Sequence, residues 1–220
     1  MSGDERAAVL QSAATQLGLD MSAHQSDVLL RYLDLIAKWT KIYNLTAVRA
    51  PAEMLTHHLI DSLAAVLPLQ RQLRDADSAA AAPRRLLDVG SGAGLPGVVF
   101  AVMCPSLMVT CVDAVGKKAA FIRQVAAELR LPNLQGLHAR VETVGAGFDI
   151  VSSRAFASLP DFTAWSRRAL TPQGVWLAMK GREPLDELAA LPRDVTVFHV
   201  EQLQVPGLDV QRCIVWMRPA

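Results

Sequence analysis

The stretch Leu86-Leu87-Asp88-Val89-Gly90-Ser91-Gly92-Ala93-Gly94-Leu95-Pro96-Gly97 sets the architecture. It begins as a short apolar run, turns through closely spaced glycines and continues into LPGVVFAVM, an apolar segment of helical length. A strand-to-helix turn needs positive φ or a close backbone approach, which glycine allows without steric cost. Pro96 suits a first helical turn, where its missing N–H is not needed. The predicted unit is strand, glycine turn, helix, with free N–H groups at the helix start.

Beyond this unit the same rhythm repeats. Apolar runs occur at Arg85–Val89, Met108–Val112, Leu134–His138, Phe148–Ser152, Val175–Met179, Val195–Val200 and Val210–Met217. Helical stretches begin near Leu95, Lys117, Leu159 and Pro184. This alternation predicts an α/β fold: a doubly wound, mostly parallel, seven-stranded sheet with helices on both faces. The last two runs are joined only by EQLQVPGLD, so they are expected as an antiparallel hairpin at the sheet edge. Toward the amino terminus, residues 1–73 read as a helical domain. Leu29, Leu33, Ile36 and Trp39 recur at helical spacing, with Tyr32 and Tyr43 beside them. Trp39 and Tyr43 lie on that apolar face and are read as core. Asn44-Leu45-Thr46 ends the helix, and Pro51 opens another. Residues 74–83, RDADSAAAAP, are expected to link this domain to a second at 84–220.

Composition narrows the class. The chain has 220 residues, 51% of them hydrophobic, and a net charge of +1. Such a balance gives no global steering toward nucleic acid, so any basic surface must be a local patch. No apolar run approaches the roughly 18 residues of a membrane span, so no membrane partner is expected. MSGDERAAVLQSAATQ lacks the pattern of a secretory signal, and a cytoplasmic location is expected. Cys104, Cys111 and Cys213 are scattered and form no C-x-x-C pair, so they read as buried reduced thiols. His57, His58 and Asp61 invite a metal reading, but His57 and Asp61 one turn apart do not make a site, and no metal is expected.

In an open α/β sheet, ligands bind beyond the carboxyl ends of the strands. Here the first five runs end in Gly90-Ser91-Gly92, Asp113, Arg140-Val141-Glu142, Ser153-Arg154 and Lys180-Gly181. The glycine loop admits two ligands. Gly92, Gly94 and Gly97 spell the G-x-G-x-x-G of a dinucleotide site; Asp88, Gly90, Gly92 and Gly94 spell the D-x-G-x-G-x-G of an S-adenosylmethionine site. Asp113, about twenty residues on, would grip a ribose in either case. Asp88 separates them. A carboxylate before the first glycine repels a pyrophosphate, by about 1 kcal/mol or more when partly buried, but welcomes an ammonium and a sulfonium. S-adenosylmethionine is therefore the expected cofactor, with Asp113, Asp88 and Gly92 in its site.

Further motifs follow in order: VDAVGKKAAFIRQVAAELRL, HARVET, FDIVSSRAFASL and LAMKG, preceded by WTKIYNLTAVR and HHLIDSL. Together with the glycine loop they resemble the small-subunit ribosomal RNA methyltransferase G family, also called glucose-inhibited division protein B, over about residues 28–181. The resemblance implies a class I Rossmann-like methyltransferase fold, a bacterial source, and transfer of a methyl group to N7 of a guanine in 16S ribosomal RNA. It also implies cofactor contacts at Gly90, Leu95, Val141, Glu142 and Arg154. Methylation of a small molecule or protein, and a non-catalytic cofactor-binding module, are the alternative readings.

Guanine N7 carries a lone pair and no proton, so the reaction needs no general base. Alignment can then supply roughly 7–11 kcal/mol. Arg154 and Lys180, at the sheet edge, are the candidate catalytic residues, since a cation suits guanine O6. Lys117, Lys118, Arg123 and Lys180 are the candidate RNA contacts. Lys38, Lys41, Arg49, Arg167, Arg168 and Arg182 are further basic positions. The expected partner is 16S ribosomal RNA or the small ribosomal subunit, bound by a monomer.

Overall fold

Two serines set the amino-terminal helices. Ser2 and Ser22 each accept a hydrogen bond from the backbone three residues on, and Glu5 and Gln25 reach back to the serine N–H. In the computed structural model, which describes residues 1–48, 50–75 and 83–220, they start α1 (Gly3–Gln16) and α2 (Ala23–Tyr43). Asn44, with φ 50, ends α2 in a left-handed cap that asparagine tolerates. Then come α3 (Pro51–Met54), a π-helical turn (Leu55–Ile60), α4 (Asp61–Leu63) and α5 (Val66–Asp75). Arg49 and most of the expected linker at 74–83 lie outside the described residues.

The second half alternates as expected. Its elements are β1 (Arg85–Val89), α6 (Gly97–Met103), β2 (Met108–Asp113), α7 (Gly116–Glu128), β3 (Leu134–His138) and β4 (Phe148–Arg154). These are followed by α8 (Leu159–Ser166), β5 (Leu170–Lys180), α9 (Leu185–Ala189), β6 (Val195–Val205) and β7 (Leu208–Pro219). The seven strands form one sheet in the order β3-β2-β1-β4-β5-β7-β6. Neighbours from β3 through β5 are parallel; β7 is antiparallel to both β5 and β6.

Several strand boundaries differ from the sequence reading: β5 begins at Leu170, five residues before the expected run, and the hairpin differs most. EQLQVPGLD is not a loop: β6 continues to Val205, and only Pro206 and Gly207 turn into β7. Leu203 and Val205 point inward between exposed Gln202 and Gln204, an edge-strand alternation whose polar half disguises it.

The strands bury both faces. On one face Leu86, Val109, Ile150 and Leu177 join α6, α7 and the amino-terminal helices in a continuous core that reaches Leu10. On the other, Leu87, Val89, Val151 and Trp176 pack with Leu159 and Phe162 of α8. Tyr32 of α2 is fully buried and donates to Ala93 O at 2.6 Å, fixing the helical layer to the glycine turn.

Candidate active site

The strand order reverses between β1 and β4, and there the loops leaving the two strands diverge. A cleft of about 500 Å³ opens at this point, bordered by Gly90, Asp113, Lys118, Val141, Glu142 and Phe156. Its size suits a nucleoside-sized ligand.

Asp113 ends β2 and organises the rim. Its Oδ2 accepts from Gly92 N at 3.0 Å and its Oδ1 from Val115 N at 2.8 Å, while Lys118 Nζ stands 3.7 Å away. Each carboxylate oxygen keeps a further lone pair for a ligand hydroxyl. Val141 and Glu142 form a short 3-10 turn after β3, with Val141 buried and Glu142 exposed. These residues, predicted at 113, 141 and 142, converge with Gly90 on one cleft.

Asp88 does a different job from the one expected of it. It has no solvent exposure, so it cannot face a ligand's cations. Its Oδ2 accepts from Gly97 N at 3.0 Å, and its Oδ1 accepts from Ser152 Oγ at 2.8 Å, across the β1–β4 pair. Burial pushes its carboxyl up to about 7, against the opposing pull of those two hydrogen bonds. Gly97 must be glycine for this contact: a Cβ there would stand 2.5 Å from Cys111 Sγ and 2.9 Å from Asp88 Oδ2. Gly92 contributes its N–H to Asp113. Leu95 is buried behind the turn. Neither they nor Asp88 border the cleft.

The Asp88–Gly97 bond bears on the choice of ligand. A pyrophosphate at a glycine turn uses the first N–H groups of the following helix. Here Gly97 N is taken by Asp88, and Pro96 has no N–H to offer. The cleft instead presents a carboxylate acceptor beside a glycine and a buried valine, suited to a nucleoside whose hydroxyls donate. The residues fit S-adenosylmethionine better than a dinucleotide.

Arg154 and Lys180 are both engaged elsewhere. Arg154 Nη1 donates to His57 O at 3.1 Å and to Asp61 Oδ2 at 2.8 Å; Asp61 Oδ1 accepts from Arg212 Nε at 2.8 Å. Asp61 therefore joins the helical layer to β4 and β7. His58 beside it is buried, and burial lowers its pKa to about 4, Arg154 adding to the effect. Lys180 Nζ donates to Ala157 O at 3.0 Å and Glu187 at 2.7 Å. Neither residue borders the cleft.

Of the expected RNA contacts, Lys117 and Lys118 open α7 at the ligand end, Lys117 exposed and Lys118 on the cleft. Arg123 lies further along α7, where Nη1 donates to Gly136 O of β3, away from the cleft. Trp39 packs on Phe121 with centroids 5.2 Å apart, as core, but Tyr43, the last residue of α2, is 40% exposed. All three cysteines are free and buried. The sequence reading passed over Phe156 and Trp165 on the cleft wall. The signal available was FDIVSSRAF itself: an aromatic two residues beyond a strand that ends at the site.

Comparison with known proteins places the chain in a family. A family model described as rRNA small subunit methyltransferase G matches residues 25–215. The ribosomal RNA small subunit methyltransferase G of Acidovorax sp. (strain JS42) is 66% identical over 212 residues, 96% of this chain and 94% of that protein. That of Paracidovorax citrulli (strain AAC00-1) is 62% identical over 224 residues, 100% of this chain and 92% of that protein. Among solved structures, a SAM-dependent methyltransferase from Aquifex aeolicus superposes with a TM-score of 0.55 at 14% identity, covering 79% of this chain and 96% of that one. TrmN from Thermus thermophilus superposes with a TM-score of 0.52 at 20% identity, over 76% and 53%. At these identities the structural likeness is one of fold, that of class I methyltransferases.

Proposed function

The chain belongs to the rRNA small subunit methyltransferase G family, and on that ground we propose that it methylates guanine N7 in 16S ribosomal RNA, using S-adenosylmethionine held in the β1–β4 cleft. The observation that carries the reading is the near full-length likeness to proteins named ribosomal RNA small subunit methyltransferase G. The cofactor supplies a methyl carbon on a sulfonium, which a nitrogen lone pair can take with no proton to remove.

The protein's part is then to bind, orient and exclude water. Asp113 is assigned the ribose hydroxyls, and the Val141–Glu142 turn the adenine. Gly90 borders the part of the cleft left for the rest of the ligand. Arg154, clamped by Asp61, holds the end of β4 in place under the acceptor. No group in the cleft needs to act as a base, so the main contribution is alignment, for which effective molarity offers roughly 7–11 kcal/mol. On the same reading the enzyme works in the bacterial cytoplasm as a monomer.

The deciding experiment offers labelled S-adenosylmethionine and the purified protein to intact small subunits, deproteinised 16S RNA and a metabolite panel, then maps the modified base. Label in a guanine that becomes cleavable by chemistry specific for N7-methylation is expected. Label confined to metabolites, or on another atom of the RNA, rules the assignment out.

A further inference from the structure

Phe156 lays its ring across the glycine turn. A Cβ on Gly90, where φ is 63, would stand 2.3 Å from Phe156 Cδ2, so a side chain at position 90 would displace the ring. Phe162 and Trp165 hold the ring from behind, each edge-on, with centroids at 6.4 and 5.9 Å. The backbone that presents it is fixed as well. Arg154 is anchored to His57 O and Asp61. Ala155, between Arg154 and Phe156, has φ 52, a left-handed conformation that costs a residue with a Cβ energy. Such strain persists only where the surroundings over-determine it, and it clusters at functional sites.

The ring's place in the cleft indicates what it meets. Asp113 and the Val141–Glu142 turn leave β2 and β3, on one side of β1; Phe156 follows β4, on the other. The nucleoside end of the cleft is therefore the β2–β3 side, and Phe156 stands at the opposite end, over Gly90, where an acceptor must approach. The ring is half-buried, and Trp165 behind it is 42% exposed, so the wall is apolar but open. Methylation at N7 leaves the purine with a positive charge, and an aromatic face attracts a cation.

We propose that Phe156 stacks on the face of the target guanine and holds N7 in line with the methyl donor, with Trp165 bracing the ring. The inference rests on the guanine-N7 reading of the cleft. Recognition by stacking is insensitive to hydrogen-bond pattern, and it complements a reaction in which N7 is occupied by bond formation.

Phe156→Leu keeps an apolar side chain over Gly90 but removes the aromatic face; Phe156→Tyr keeps the face. Both are compared with the unmodified protein in single-turnover methylation of saturating small subunits, and in calorimetric binding of S-adenosylhomocysteine. The leucine variant is expected to transfer about ten- to a hundredfold more slowly, the tyrosine variant within about threefold of the unmodified rate, and both to bind S-adenosylhomocysteine within about threefold of it. A leucine variant with the unmodified rate overturns the proposal. So does one whose affinity for S-adenosylhomocysteine falls in step with its rate, since the ring would then be a wall of the cofactor site. An unmodified protein that labels no ribosomal guanine removes the reading beneath the proposal, and the proposal with it.

Discussion

Asp88 is a carboxyl without solvent at the point where the first strand becomes a turn. In the unfolded chain such a group titrates near 3.8; in the fold, burial holds it at about 7. The folded state therefore binds a proton more readily than the unfolded state between those values. The sign follows from linkage: this group's stabilising contribution is fully present below about 3.8 and is lost as pH rises toward 7, a change of about 4 kcal/mol. His58 runs the other way. Its folded pKa of about 4 lies below the ordinary 6.5, so its contribution is present above 6.5 and lost as the solution is acidified. Asp88→Asn separates the two. An asparagine can accept from Gly97 N and donate to Ser152 Oγ, keeping the geometry without the titration. Relative to the natural protein, the variant should gain stability steadily from pH 4 to pH 7, while the His58 effect cancels. Urea unfolding at several pH values measures this, and a gap that does not change with pH would show that folding does not raise the pKa of Asp88.

Among the secondary-structure elements, the π-helical turn at Leu55–Ile60 matters for the residue it presents. It delivers Asp61, 4% exposed, to two guanidiniums from β4 and β7. Asp61→Ala should leave Arg154 and Arg212 without their shared acceptor. Their side chains are 18% and 24% exposed, so solvent offsets part of the loss, and a destabilisation of roughly 2 kcal/mol is expected. A denaturation midpoint equal to that of the natural protein would mean that Asp61 contributes nothing to joining the layers. This junction also shows where sequence reading stops. The β1 turn was legible because glycines and a following apolar segment are local signals. That Asp113 and the Val141–Glu142 turn would come together on one cleft was legible because strand ends in a parallel sheet share one edge. The link from Asp61 to Arg212 spans 151 positions along the chain, and no local pattern announces it. Asp88 misled for a related reason: its place in the motif is a fact of sequence, but whether its carboxyl faces ligand or Gly97 depends on the register of β1 against β4.

The molecule as a unit has little net charge, so RNA must be met by a patch, and the packing of α2 brings one candidate set of cations together. Gln25 near the start of α2 donates to Val102 O at the far end of α6, while Tyr32 reaches Ala93 O in the glycine turn. The helix thus climbs from the base of the sheet past its ligand edge. Its last turns carry exposed Lys38, Lys41 and Tyr43 beyond the turn, with Trp39 on Phe121 tying that end to α7, whose first turn bears Lys117 and Lys118. Cations at a helix start oppose its dipole by a few tenths of a kcal/mol, a penalty that binding a polyanion reverses. Lys117 and Lys118 should then behave differently, because Lys118 shares its charge with Asp113 in the cleft. Lys117→Ala is expected to weaken binding of a 16S RNA fragment and to flatten the logarithmic salt dependence by about 0.7 for a lost single-strand phosphate contact. S-adenosylhomocysteine affinity should be untouched by that change. Lys118→Ala should alter both. Arg123→Ala, on the β3 side of α7, should alter neither. Filter binding across a salt series, with S-adenosylhomocysteine titrated in parallel, tests all three together. If Arg123 and Lys117 changed the slope equally, the RNA would have to run along the flank of α7, and not across the edge where α2 and α7 meet.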